Sequence, residues 1–353
     1  MTFHTVPTLS ADAVADARPA DAVADARRWP KILVAYRAPS HARSILEIIV
    51  TAVPLALLWA AMWASLQVGY WRTLLLAVPA AGLLVRLFII QHDCSHGAFF
   101  RTRAANDWVG RVIGVLTLTP HDVWRRTHAI HHASSGNLDL RGIGDVDTLT
   151  VREYRARTWA GRLRYRLYRH PLVMFVLGPT YLFVVQHRLP VGLMRAGAEP
   201  WVSAMATNAG ILAVATGLAW LVGLEAFLLV QAPITIIGAT IGVWLFYVQH
   251  QFDETTWDKG ADWSHPEAAL HGSSHYDLPA PLRWFTGNIG IHHVHHLCSR
   301  IPFYRLPEVL DRHPELASIG RLTLLESLAC VRLVLWDEAG RRLVSFRDAA
   351  AAA

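Results

Sequence analysis

Residues 45–66 are almost wholly apolar and long enough to cross a bilayer as a helix, which takes about 20 such residues. Residues 73–90 follow after a short turn at 67–72 and form a second candidate span, about 27 Å long at the helical rise. Arg86 interrupts that segment near its end, where a long side chain can snorkel toward the headgroups. Residues 202–250 are one apolar stretch, too long for a single span, with a natural break at Gly223, Leu224 and Glu225. They read as two further helices, about 202–222 and 226–249. The expected fold is therefore all-α: a polytopic membrane protein with four transmembrane helices in two hairpins. Composition fits, because 53% of residues are hydrophobic and only 17% charged, against about 25% charged in a soluble chain.

Arginine orients the hairpins. Residues 91–200 carry fifteen arginines, from Arg101 to Arg195, while the two opposite loops carry only Arg72. By the positive-inside rule the N-terminus, residues 91–200 and the C-terminal part are expected on the cytoplasmic side, as a helical cap on the cytoplasmic (inner) membrane. The net charge of +6 then marks cytoplasmic loops and not a nucleic-acid partner. Two shorter apolar runs, 109–119 and 172–185, fit interfacial or partly buried helices. Three cysteines, Cys94, Cys298 and Cys330, make no disulfide framework and suit reducing surroundings. The start of the chain has no basic-then-apolar signal peptide and repeats A-D-A-V-A-D-A-R at 11–18 and 20–27. It is expected as a mobile arm over residues 1–34, followed by one domain at 35–340 and a tail at 341–353, including the terminal alanine run.

Nineteen histidines are present, and many are grouped. One group is H92-D-C-S-H96 at the end of the second span; the others are H128-A-I-H-H132 and H292-H-V-H-H296. Residues at i, i+3 and i+4 of a helix lie within an arc of about 100°, so three imidazoles so spaced can converge on one region. All three groups fall on the expected cytoplasmic face, giving eight candidate ligands: His92, His96, His128, His131, His132, His292, His295 and His296. His250, at the cytoplasmic end of the fourth span, is a ninth. His293 lies off the arc and suits a contact other than ligation. One tetrahedral metal takes about four protein ligands, so eight or nine suggest two ions. Imidazole suits iron, zinc and copper. No cysteine cage, His-Glu-x-x-His or Glu-x-x-His is present, which argues against structural zinc, a zinc protease and a soluble di-iron carboxylate bundle. Two irons that activate oxygen fit the remaining chemistry. Asp93, inside the first box, can orient an imidazole by accepting its N–H; Asp139, Asp147 and Asp277 are weaker candidates for that role. Cys94 and Cys298 read as packing residues.

These boxes resemble those of the membrane fatty acid desaturase superfamily. The stretches Q91-H-D-C-S-H-G-A-F-F100 and H295-H-L-C-S-R-I-P-F-Y304 are similar to acyl-lipid desaturases of the Δ12 or ω3 type, and Y247-V-Q-H-Q-F-D253 fits the same group. The resemblance covers about residues 35–335. It implies a di-iron centre held by the eight box histidines, with a further ligand at His250, together with O2 as co-substrate and electrons from an external donor. The chain departs from plant-type relatives at H271-G-S-S-H275, so His275 or His271 is a tenth candidate. The implied activity is insertion of a cis double bond into a membrane-lipid acyl chain, Δ12/ω6 favoured and Δ9 or ω3 open. A fatty acyl, alkane or carotenoid hydroxylase or ketolase on the same scaffold is the alternative. No His-Pro-Gly-Gly haem stretch is present, so the donor is expected to be a separate ferredoxin-like or cytochrome b5-like protein.

Overall fold

The structure, a computed structural model, describes residues 20–142 and 144–351. The main helices are α1 (Ala20–Leu33), α2 (His41–Ser65), α3 (Tyr70–Ser95), α4 (Arg103–Leu116), α5 (His121–Ser134), α6 (Ala198–Val222), α7 (Leu224–His250) and α8 (His292–Leu297). Among the described residues, α2, α3, α6 and α7 are long and apolar enough to cross a membrane. The two hairpins stand where hydropathy puts them. Val222 passes to Leu224 through Gly223 alone, whose φ of +88° is a conformation glycine adopts without a Cβ penalty. Helix α3 runs past its apolar segment, to Ser95, whereas α7 ends with its own, at His250. Hydropathy marks the depth of the bilayer, whereas α3 continues until its capping turn, and the extra turn carries His92.

Among the described residues, five short strands stitch the cap: β1 (Leu149–Thr150), β2 (His275–Asp277), β3 (Arg321–Thr323), β4 (Leu335–Asp337) and β5 (Arg342–Val344). β1 and β4 pair in parallel, β4 and β5 antiparallel, and β2 and β3 in parallel. Helix α4 and the helical segment over 172–184 expose Trp108, Val112, Leu172, Leu177 and Tyr181, an apolar surface of the kind an interfacial helix turns to lipid.

Three expectations change. The copy of the alanine repeat at 11–18 lies outside the described residues, but residues 20–33 are helix α1 and not an arm. Ala26, Trp29 and Leu33, at i, i+3 and i+7, form a buried stripe that joins Val294, Leu297 and Ile301 in one core. The tail is also part of the body. Leu343 and Val344 of β5 are buried, a helix follows at Phe346–Ala351, and only residues 352–353 lie outside the described residues. Arg86 does not reach for headgroups. It is 2% exposed, pairs with Glu47 of α2, donates to the Trp284 carbonyl and lies 4.2 Å over the Trp284 ring. A carboxylate on the facing helix satisfies a guanidinium that would otherwise have to find water.

Candidate metal centre

Four helices deliver the histidines. His92 lies in the last turn of α3 and His96 just past its end. His128, His131 and His132 lie on α5, His250 ends α7, and His292, His295 and His296 lie on α8. Helix α8 is set by the turn before it, where Gly287 and Asn288 both adopt positive φ, +55° and +53°. Glycine is required at 287 for space as well, because a Cβ there would lie 2.8 Å from Ile89 Cγ2 of α3. Asn288 tolerates the left-handed conformation and donates to the Phe303 carbonyl at 3.2 Å.

The nine side chains form two nests. His92, His96, His128, His132 and His295 make one; His131, His250, His292 and His296 make the other. Within each nest the potential ligand nitrogens lie within 4.8 Å of one another. The Nε2–Nε2 separation is 3.1 Å for His128–His132, His132–His295, His131–His250 and His250–His292, and 3.0 Å for His292–His296. The nests adjoin, with the His132 and His296 rings stacked at 4.1 Å. The boxes are thus divided in a way their spacing does not announce. Each His-x-x-His-His gives its i,i+4 pair to one nest and the histidine between them to the other. The three imidazoles of a box do not share one site.

Neighbouring acceptors orient some of these rings. His92 Nδ1 lies 3.1 Å from Asp93 Oδ1, while Asp93 Oδ2 accepts from the Phe303 amide at 2.6 Å. The same carboxylate therefore ties the first box to the segment after the third. His131 Nδ1 lies 2.5 Å from Asp145 Oδ1, and His250 Nδ1 lies 3.2 Å from the Gly272 carbonyl. A carboxylate or carbonyl can only accept, so in each case Nδ1 carries the proton and the Nε2 lone pair points into the nest. Trp124 stacks on His128 at 4.2 Å. Burial, followed by the field of neighbouring imidazoles, holds His96, His128, His132, His292, His295 and His296 well below the usual imidazole range. Neutral imidazole is the form that ligates a metal.

This donor set fits metal ions. Nε2 of His92 and of His96 is buried with no hydrogen-bond partner, an expensive state for a polar atom in a protein interior. His131 Nε2 and His250 Nε2, 3.1 Å apart with their protons on Nδ1, face lone pair to lone pair, which a cation between them relieves.

Other candidates stand elsewhere. His293 is fully buried, but its Nε2 donates to the Leu316 carbonyl at 2.9 Å. His275 joins neither nest; its Nδ1 donates to the Ala317 carbonyl at 2.6 Å and its ring packs 5.7 Å from His293. Strand β2, paired to β3, carries it away from the nests. His271 faces Glu267 at 3.9 Å. Asp139 accepts from the Gly260 amide and Asp277 pairs with Arg321, while Asp147 meets Tyr168 through its backbone amide. Asp145 is the orienting carboxylate that sequence reasoning missed. Asp107, His121 and Asp122 also cluster, but Arg111 and Arg125 occupy both carboxylates, at 2.9 and 2.8 Å.

A cavity of about 680 Å³ adjoins both nests, with His92, His128 and His292 in its wall. The remainder of that wall is mostly apolar and includes Leu84, Phe88, Trp124, Phe183 and Phe246.

A family model described as fatty acid desaturase matches residues 69–324. The chain is 44% identical over 317 residues to a Bacillus subtilis (strain 168) protein named fatty acid desaturase, covering 90% of each. It is 31% identical over 238 residues to an sn-1 acyl-lipid omega-3 desaturase (ferredoxin) of Synechocystis sp., covering 62% of this chain and 61% of the relative. An sn-1 oleoyl-lipid 12-desaturase of the same organism is 25% identical over 232 residues, 63% of each chain.

Proposed function

The chain belongs to the fatty acid desaturase family, and from that premise we propose that it inserts a cis double bond into the acyl chain of a membrane lipid, using one iron ion in each histidine nest. The observation that carries this reading is the apolar cavity that touches both nests: it offers an acyl chain room beside the only groups able to hold an oxidising metal pair among the described residues. His92, His96, His128, His132 and His295 would hold one ion, and His131, His250, His292 and His296 the other. Bound iron would supply activation of O2 and removal of hydrogen from an unactivated methylene. The chain's own contribution is orientation and exclusion. Asp93, Asp145 and the Gly272 carbonyl fix three imidazoles with their lone pairs inward. Phe88, Trp124 and Phe246 keep the reacting segment away from water.

The regiochemistry proposed is Δ12/ω6, with ω3 or Δ9 as neighbouring outcomes; the relatives named as omega-3 and 12-desaturases support that range. Electrons come from a separate ferredoxin-like donor, in keeping with the relative whose name specifies ferredoxin, with a cytochrome b5-like protein as the other candidate. Arginine asymmetry supports a cap on the cytoplasmic face of the inner membrane. Expression in a host that makes only saturated and monounsaturated chains, followed by lipid mass spectrometry with double-bond location, tests the proposal. New diunsaturated chains are expected, and none from His296→Ala. Monoenes without dienes would move the assignment to Δ9, and hydroxylated or ketone products in place of alkenes would overturn it.

A further inference from the structure

The cavity beside the nests also runs down between α3 and α7. Its wall on α7 includes Thr235, Gly238, Gly242, Phe246 and Gln249, which share one face through spacings of three and four. Leu84 lines it from α3. Two glycines on the α7 face meet different surroundings. A Cβ at Gly238 would lie 3.2 Å from Leu84 Cδ2, so the two helices close on each other there. A Cβ at Gly242 would meet nothing within 4 Å, and the backbone there is ordinary helix that any side chain tolerates. Counting back from His250, Gly242 lies about 12 Å and Gly238 about 18 Å along the helix axis. Outside the nests, the polar wall is concentrated elsewhere: Thr117, Thr119, Gln186 and His187 lie on the connections outside the four spans, and on α7 Thr235 and Gln249 are polar. An esterified acyl chain has one polar end and one methyl end, so the methyl end belongs on the span side, where Leu84 narrows the cavity at Gly238 and Thr235 lines it one turn deeper.

We infer that Gly242 is a specificity-determining residue that sets how long an acyl tail fits beyond the metal nests, the methyl end resting where Leu84 meets Gly238. The inference rests on the desaturase reading above. A bulky side chain at 242 raises the floor by the one turn that separates it from Gly238, about 6 Å or roughly five carbon–carbon bonds of an extended chain.

The test supplies 14-, 16- and 18-carbon chains to cells expressing wild type, Gly242→Val, Gly242→Phe and Gly217→Phe. Gly217 has equally free space around it but lies on α6, away from the cavity. The ratio of 18-carbon to 14-carbon product is expected to fall on the order of tenfold in Gly242→Phe, by less in Gly242→Val, and not in Gly217→Phe. Lipid that copurifies with Gly242→Phe should shift toward shorter chains, a readout independent of turnover. An unchanged ratio in an active Gly242→Phe overturns the inference, as does equal loss of all three lengths in both Gly242 variants. Wild type that makes no alkene at any length defeats the desaturase reading instead.

Discussion

His293 and His296 sit three positions apart on α8 and meet different surroundings. His296 Nε2 faces His292 Nε2 at 3.0 Å, whereas His293 Nε2 is used by the Leu316 carbonyl at 2.9 Å. His296→Ala should therefore lose about one of two bound ions, measured by metal analysis of the purified protein. His293→Ala should keep both ions and lower stability by about 1–3 kcal/mol, from a lost buried hydrogen bond and the void it leaves. Equal metal loss in the two variants would contradict the division of the box. The sequence reading of His293 and of the other box histidines rests on helical spacing, a local property, which is why it was legible. The pairing of His131 with Asp145 was not. Asp145 lies in a loop 14 positions away, and no periodicity links a loop carboxylate to a helix ring. The division of each box between two nests was equally hidden, because one helix does not show what faces it from three others.

At the level of elements, the first hairpin contains a buried ion pair between two spans. Glu47 and Arg86 are each 2% exposed, and Arg43 adds a second contact to Glu47 at 2.7 Å. Glu47→Leu strands the Arg86 guanidinium in a dry setting and is expected to cost about 3–5 kcal/mol. Replacing both, Glu47→Leu with Arg86→Met, should recover most of that loss, since a packed apolar pair removes the desolvation cost. Thermal unfolding in detergent separates the two outcomes; a double variant less stable than Glu47→Leu alone would contradict the account. The spans themselves were legible from hydropathy, but the pair was not, because apolar runs report what faces lipid and not what two helices turn toward each other. Helix α1 was missed for a related reason. Its alanine-rich composition hides a stripe of only three residues, Ala26, Trp29 and Leu33, which becomes informative once the core around α8 receives it.

Across the whole molecule, the nests draw on α3, α5, α7 and α8, whose histidines run from residue 92 to residue 296. Any ion bound to such a nest favours the folded chain by mass action, since the unfolded chain offers no preformed site. Removing metal with a chelator should therefore lower the unfolding temperature of the whole cap. The pH dependence of the stripped protein follows from burial. His96, His128, His132, His292, His295 and His296 are held neutral in the fold, below the usual imidazole pKa of about 6.5 that they regain on unfolding. Below about pH 6.5 the unfolded chain thus binds more protons than the folded one, and stability falls as pH falls. Above it the difference vanishes, and this contribution is fully present. Metal binding has the same sign, because protons compete for the same nitrogens. Unfolding temperatures of stripped protein should be nearly level between about pH 8 and 7 and should drop toward pH 5, with added iron restoring less in acid than at neutrality. Stripped protein that gains stability on acidification would mean that the imidazoles are already charged in the fold, and neither nest would then present the lone pairs a metal needs.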